Sequence, residues 1–210
     1  MVLAEQLRVS QSSLRILLCN FVALCMALAC VGASSELTRV TDLQGRVVSR
    51  LNANKARVIV LIFAATDCPI SNRYVPEIAR LERLFSPQHV AFWWVFPNPG
   101  DTLAAVKKHG LEFSITTPTL IDSAQELVRM AHAAVTPEAA VFAVEGDGLH
   151  EVYHGRIDDR YIAFGKEKPQ AAHHDLEDAI YAALAGSSVQ VSTGNAIGCS
   201  IVPVTSERSK

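Results

Sequence analysis

Cys68, in the stretch Phe63-Ala64-Ala65-Thr66-Asp67-Cys68-Pro69-Ile70-Ser71-Asn72, is the residue best placed to do chemistry. An apolar run, Val58 to Phe63, precedes it, and Pro69 and a helix-period pattern follow it. This order reads as a buried strand that delivers a thiol to the first turn of a helix. Pro69 suits the first helical position, where the missing N–H costs nothing. Unpaired N–H groups and the helix dipole at that end favour a negative sulfur, and the thiolate is the reactive species. Asp67 acts in the opposite direction, because a neighbouring negative charge raises a thiol pKa. Arg73 could offset it, and Arg73 and the nearest threonine, Thr66, are the candidate tuning groups.

The elements around Cys68 follow from the hydrophobic pattern. The chain has 210 residues, half of them hydrophobic, which favours one domain with a real core. Net charge is −2 and there is no Lys/Arg block, so a nucleic-acid surface is not expected. After the first strand, Ile70, Tyr74, Ile78, Leu81 and Phe85 form one helical stripe, with Pro76 inside the helix and Ser86-Pro87 ending it. His89–Phe96 reads as a second apolar strand. Asp101 or Thr102 caps a short helix to about His109. Thr119–Ile121 is a short strand, and Ser123-Ala124-Gln125-Glu126 reads as a capping box for a helix to about Ala131. Ala139–Val144 and His150–His154 form a hairpin about Glu145-Gly146-Asp147-Gly148. A last helix begins at His174 or Asp175 and stops at Gly186. The expected architecture is α/β, with a mixed central sheet flanked by helices.

The N-terminus is a separate object. Arg8 and Arg15 precede the uncharged run Ile16–Val31, which is shorter than the roughly 20 residues needed to span a bilayer. Val31-Gly32-Ala33 supplies small residues for signal-peptidase cleavage. Residues 1–33 are therefore expected to be an export signal, 34–186 the folded domain and 187–210 a C-terminal tail. An uncleaved N-terminal anchor and lipidation at Cys30 are the alternatives. Cleavage removes Cys19, Cys25 and Cys30, leaves Cys68 and Cys199, and takes the charge to −3 by loss of Arg8, Arg15 and Glu5. An exported chain lives where disulfides persist.

In this context the chain resembles the thioredoxin-like superfamily, most closely its redoxin branch of exported thiol oxidoreductases and alkyl hydroperoxide reductase/thiol-specific antioxidant proteins. The strand-to-helix placement of Cys68 in ATDCPISNRYVPEI carries the likeness. So do Pro76, eight residues on, and Val135-Thr136-Pro137 before a strand and hairpin. The resemblance implies that Thr136 and a cis Pro137 form the loop that packs on the cysteine and pairs with substrate. It also implies a thiol–disulfide oxidoreductase or peroxidase with Cys68 as nucleophile and no cofactor. Its partners would be a protein or small-molecule disulfide or peroxide and an external thiol reductant. Three departures qualify this. Ser71 stands where a thioredoxin has its second cysteine, so Cys68 needs a thiol from elsewhere. Ala65 and Leu61 stand where peroxiredoxins have threonine and proline. Asn72 stands where copper chaperones of the cytochrome-oxidase assembly type have their second cysteine. A Cu(I) module using Cys68 and Cys199 and a redox-inactive binding domain remain the rival functions. An inert buried thiol is the bland reading of Cys68.

Cys199, beside Gly198, is the expected partner of Cys68. The 13 residues from Gly186 to Cys199 span about 43–47 Å when extended, against a radius of gyration of roughly 16 Å for a domain of this size. A disordered tail is the alternative. No metal site is expected from the histidines. There is no His-x-x-x-His on a helix or Cys-His pair at ligand spacing, His173 and His174 diverge, and His150 and His154 share one face of a hairpin strand. Sequencing the N-terminus of protein made in its own host should find Ser34. Met1 or a retained apolar segment would rule out the cleaved form.

Overall fold

A computed structural model describes residues 37–51, 55–187 and 195–204. The expected export signal, residues 1–33, lies outside these. No helix among the described residues is long and apolar enough to cross a membrane.

The sheet is built around β2 (Val58–Phe63), in which every residue is buried. It runs parallel to β3 (Val90–Phe96) and antiparallel to β6 (Glu138–Glu145). The parallel series continues to β4 (Thr119–Ile121), with β1 (Thr41–Asp42) antiparallel beyond it, and β7 (Gly148–Gly155) closes the other edge. The six-stranded order is β1-β4-β3-β2-β6-β7. Side chains alternate across a strand, so β2 supplies both faces of the core. Val58, Val60 and Ile62 join α1 (Pro69–Phe85) and α4 (Asp175–Ala185) on one side. Ile59, Leu61 and Phe63 meet Leu127 of α3 (Glu126–Met130) and Ile201 on the other.

Helix α1 begins where Cys68 and Pro69 predict, buries the expected stripe and contains Pro76. Helix α2 (Leu103–Glu112) is capped by the Thr102 hydroxyl, which accepts from the Ala105 N–H at 3.2 Å. It runs three residues past His109. Asp101, the other capping candidate, instead accepts from the Thr66 N–H and hydroxyl.

The capping box expected at Ser123–Glu126 is not used. Gln125 precedes α3 in a left-handed conformation without a side-chain cap. The Asp122 carboxylate accepts from the N–H groups of Glu126, Leu127 and Val128 at 2.7–3.0 Å. Glu126 turns away to accept from Thr38. A fully buried carboxylate that meets three helical N–H groups satisfies more donors than a surface box would. The hairpin β8 (Tyr161–Ala163) and β9 (Lys166–Glu167), between β7 and α4, carries no hydrophobic period and was not expected from the pattern.

Removing the Asp122 carboxylate (Asp122→Ala) should cost about 1–2 kcal/mol, the upper range for a lost helix cap. Denaturant unfolding should show a lowered midpoint at an unchanged slope, whereas an unchanged midpoint would mean that α3 needs no cap.

Candidate active site

Cys68 is the N-cap of α1, has extended backbone geometry and is fully buried. The peptide between Thr136 and Pro137 is cis, and the Thr136 carbonyl points at the sulfur. The Cys68 thiol donates to that oxygen at 3.0 Å. The structure thus joins Cys68, Thr136 and Pro137 at one place, where β2 hands over to α1 and β5 (Val135–Thr136) runs into β6.

The tail completes the site. Strand β10 (Cys199–Ser200) pairs antiparallel with β5, Cys199 opposite Thr136 and Ser200 opposite Val135. Cys199 Sγ lies 3.0 Å from Cys68 Sγ and donates to it, and both cysteines are free thiols. The sulfurs must close by about 1 Å to bond, since a disulfide spans about 2.05 Å. Ile201 is buried in the second core cluster, and its N–H donates to the Ala134 carbonyl at 3.0 Å. Gln125 brackets Val202 and Val204 with both ends of its amide. The Val202 N–H donates to Asn98 at 2.9 Å. Gly198 sets how closely the tail approaches. A Cβ there would lie 2.1 Å from the Thr136 carbonyl oxygen and 2.6 Å from its carbon. Only glycine fits, because both of these neighbours are backbone.

The two thiols differ electrostatically. Burial pushes Cys68 up, but hydrogen bonds from the Cys199 thiol, the Ser71 hydroxyl and the backbone at Ser71 and Cys199 outweigh it. The net position is below an ordinary thiol. Ser71 Oγ is buried and makes no hydrogen bond among the described residues, so its hydroxyl is available to an ionised Cys68. Cys199 is pushed up to about 12, by burial first, then by its hydrogen bond to Cys68 and by the charges of Cys68 and Asp67. One proton shared between two sulfurs favours one thiolate over two. Cys199, partly exposed, stays protonated while Cys68 ionises.

The expected tuning groups are engaged elsewhere. The Thr66 hydroxyl donates to Asp101 at 2.8 Å. Arg73 is exposed and pairs with Glu167 of β9 at 2.6 Å. Ser71, read in the sequence only as a missing cysteine, is among the groups that lower Cys68. No sequence pattern signals the Arg73–Glu167 pair, because its partner is 94 residues away on an unexpected hairpin.

The fold is thioredoxin-like: a cysteine-led helix after the central strand, parallel β2, β3 and β4, and a cis-proline loop leading into an antiparallel hairpin. The chain is similar to an uncharacterized conserved protein from Geobacillus kaustophilus, at 28% identity, 83% of this chain, 93% of that one and a TM-score of 0.69. It is similar to a hypothetical protein from Sinorhizobium meliloti, at 23% identity, 81% of this chain, 92% of that one and a TM-score of 0.66. A secreted disulfide oxidoreductase from Mycobacterium tuberculosis matches at 16% identity, 70% of this chain, 93% of that one and a TM-score of 0.46. No protein-family model and no curated protein matches the chain.

In a pH series, Cys68 should alkylate with an apparent pKa below that of a free thiol. Cys199→Ala removes the donor on its sulfur and should move that pKa upward. An unmoved curve would mean that the tail thiol does not stabilise the thiolate.

Proposed function

We propose that this protein is an exported thiol–disulfide oxidoreductase whose redox couple is Cys68 and Cys199. The observation that carries the reading is the 3.0 Å contact between two free thiols from opposite ends of the domain. Cys68 is the nucleophile and Cys199 the resolving thiol. The Cys68 thiolate attacks a disulfide RSSR′, forming a Cys68–SR bond and releasing R′S⁻, which takes up a proton. Cys199 then loses its proton and attacks Cys68 Sγ, forming the internal disulfide and releasing RSH. One RSSR′ is reduced to RSH and R′SH, and two protein thiols become one disulfide. Thr136 and Pro137 form the loop against which the substrate pairs once the tail gives way, and the Thr136 carbonyl accepts from the thiol in the resting state.

The return half-reaction takes an external thiol. The less acidic Cys199 sulfur is the partly exposed one, and Cys68 is buried. A reductant thiolate therefore attacks Cys199, and Cys68 departs, because the more acidic thiol is the better leaving group. Disulfide exchange is favoured over peroxide reduction by Ala65, which offers no hydroxyl where peroxiredoxins hold peroxide, while Thr66 is occupied by Asp101.

Mild oxidation of the full chain should remove two hydrogens and link the Cys68 and Cys199 peptides in a nonreducing map. Cys68→Ser should abolish reduction of a small disulfide such as oxidised glutathione, and Gly198→Ala should sharply lower the yield of the link by pushing β10 off Thr136. Two thiols that stay separately alkylatable under oxidant, or turnover unchanged in Cys68→Ser, would overturn the reading.

A further inference from the structure

The hairpin strand β7 is irregular, and the irregularity rearranges its histidines. Tyr153 is opposite Val141, but Glu151 is opposite Phe142, so Val152 has no partner on β6. A bulge inserts one residue and re-aims the side chains beyond it. In a regular strand Glu151 and His154, three apart, would point to opposite faces. Here they stand opposite Phe142 and Ala140, two apart on β6, and share a face. His150 is opposite Ala143, so it lies on the other face from His154. This corrects the expectation that His150 and His154 are paired on one side.

A third side chain reaches the same spot from another element. His132 precedes β5 and sits in a left-handed conformation, φ 52°, which non-glycine residues seldom adopt. Its Nδ1 lies 3.3 Å from one Glu151 oxygen, and His154 Nδ1 lies 2.5 Å from the other. The two rings are 5.9 Å apart and tilted, so both turn the same nitrogen toward one carboxylate. The donor atoms of all three residues lie within 4.8 Å of one another.

We propose that His132, Glu151 and His154 form a binding site for a divalent ion of the Zn²⁺ class, with a fourth position open to water. Two imidazoles and a carboxylate suit borderline divalent metals rather than soft Cu(I) or hard Ca²⁺. Tetrahedral zinc with bonds of about 2.0–2.2 Å needs donors about 3.3 Å apart, so the widest pair closes by about 1.5 Å, the His132–Glu151 pair at 3.3 Å stays as it is, and the His154–Glu151 pair at 2.5 Å opens by about 1 Å. The histidine side chains are 70% and 47% exposed, free to move and open to an ion. A second cluster, Glu77, His174 and Glu177, lacks this character, because Arg80 already pairs with both of its carboxylates. The site has a structural consequence. It ties the segment before β5 to β7, and that same segment offers the Ala134 carbonyl to the tail.

The test is calorimetric titration of the full chain with Zn²⁺, its thiols alkylated to remove their own metal binding. One equivalent should bind saturably and raise the melting temperature. His132→Ala, His154→Ala and Glu151→Gln should each weaken that equivalent by about ten-fold or more, a loss seen even for outer-shell changes, and His150→Ala should leave it unchanged. Co²⁺ in place of Zn²⁺ should give visible bands without thiolate charge transfer, and His154→Ala should remove them. Absence of saturable binding, affinity indifferent to all three substitutions, or an equal loss in His150→Ala would each overturn the site.

Discussion

Everything at the candidate site depends on a two-residue strand pairing, Cys199–Ser200 against Val135–Thr136. Without it Cys68 has no second thiol, because Ser71 occupies the local position. Two residues of strand are marginal alone, so other contacts fasten the tail. Burial of Ile201 contributes about 1.5–3 kcal/mol. The hydrogen bonds of Ile201 to Ala134, of Val202 to Asn98 and Gln125, and of Val204 to Gln125 add about 1 kcal/mol each. These contacts offset the entropy of ordering the tail. An intramolecular partner fixed this way also packs against Cys68, which is fully buried.

The same contact sets the charge on each sulfur. A thiol that donates to a neighbouring sulfur stabilises that neighbour as the anion and becomes harder to ionise itself. Cys68 is lowered and Cys199 raised through one hydrogen bond. The helix end adds to the asymmetry, since Cys68 alone sits at the N-terminus of α1.

Pairings outside the expected motifs recur elsewhere. Asp122 replaces a legible capping box because a buried carboxylate can reach three N–H groups at once. Asp101, a capping candidate in the sequence, is claimed by Thr66 across 35 residues. Arg73 is drawn from the thiol to Glu167. Asp101 and Arg73 find their partners through the fold, whereas Asp122 finds its own on the first turn of the helix that follows it.

Local pattern was enough to place the elements around Cys68. An unbroken apolar run must be buried on both faces, and a 3.6-residue stripe must turn one side to the core. Proline can start a helix where its missing N–H is not needed. Those rules are local, so β2, α1 and the hairpin of β6 and β7 were legible within a residue or two. Chain length showed that Cys199 could reach Cys68, but not that it would. Only the tertiary structure decided that, through the space left at Gly198 and the free edge of β5. Only the tertiary structure revealed the bulge at Val152, because a bulge is a mismatch between two strands and neither strand's sequence contains it. It likewise decided which groups act on the thiolate, since electrostatic influence falls with distance in space rather than along the chain.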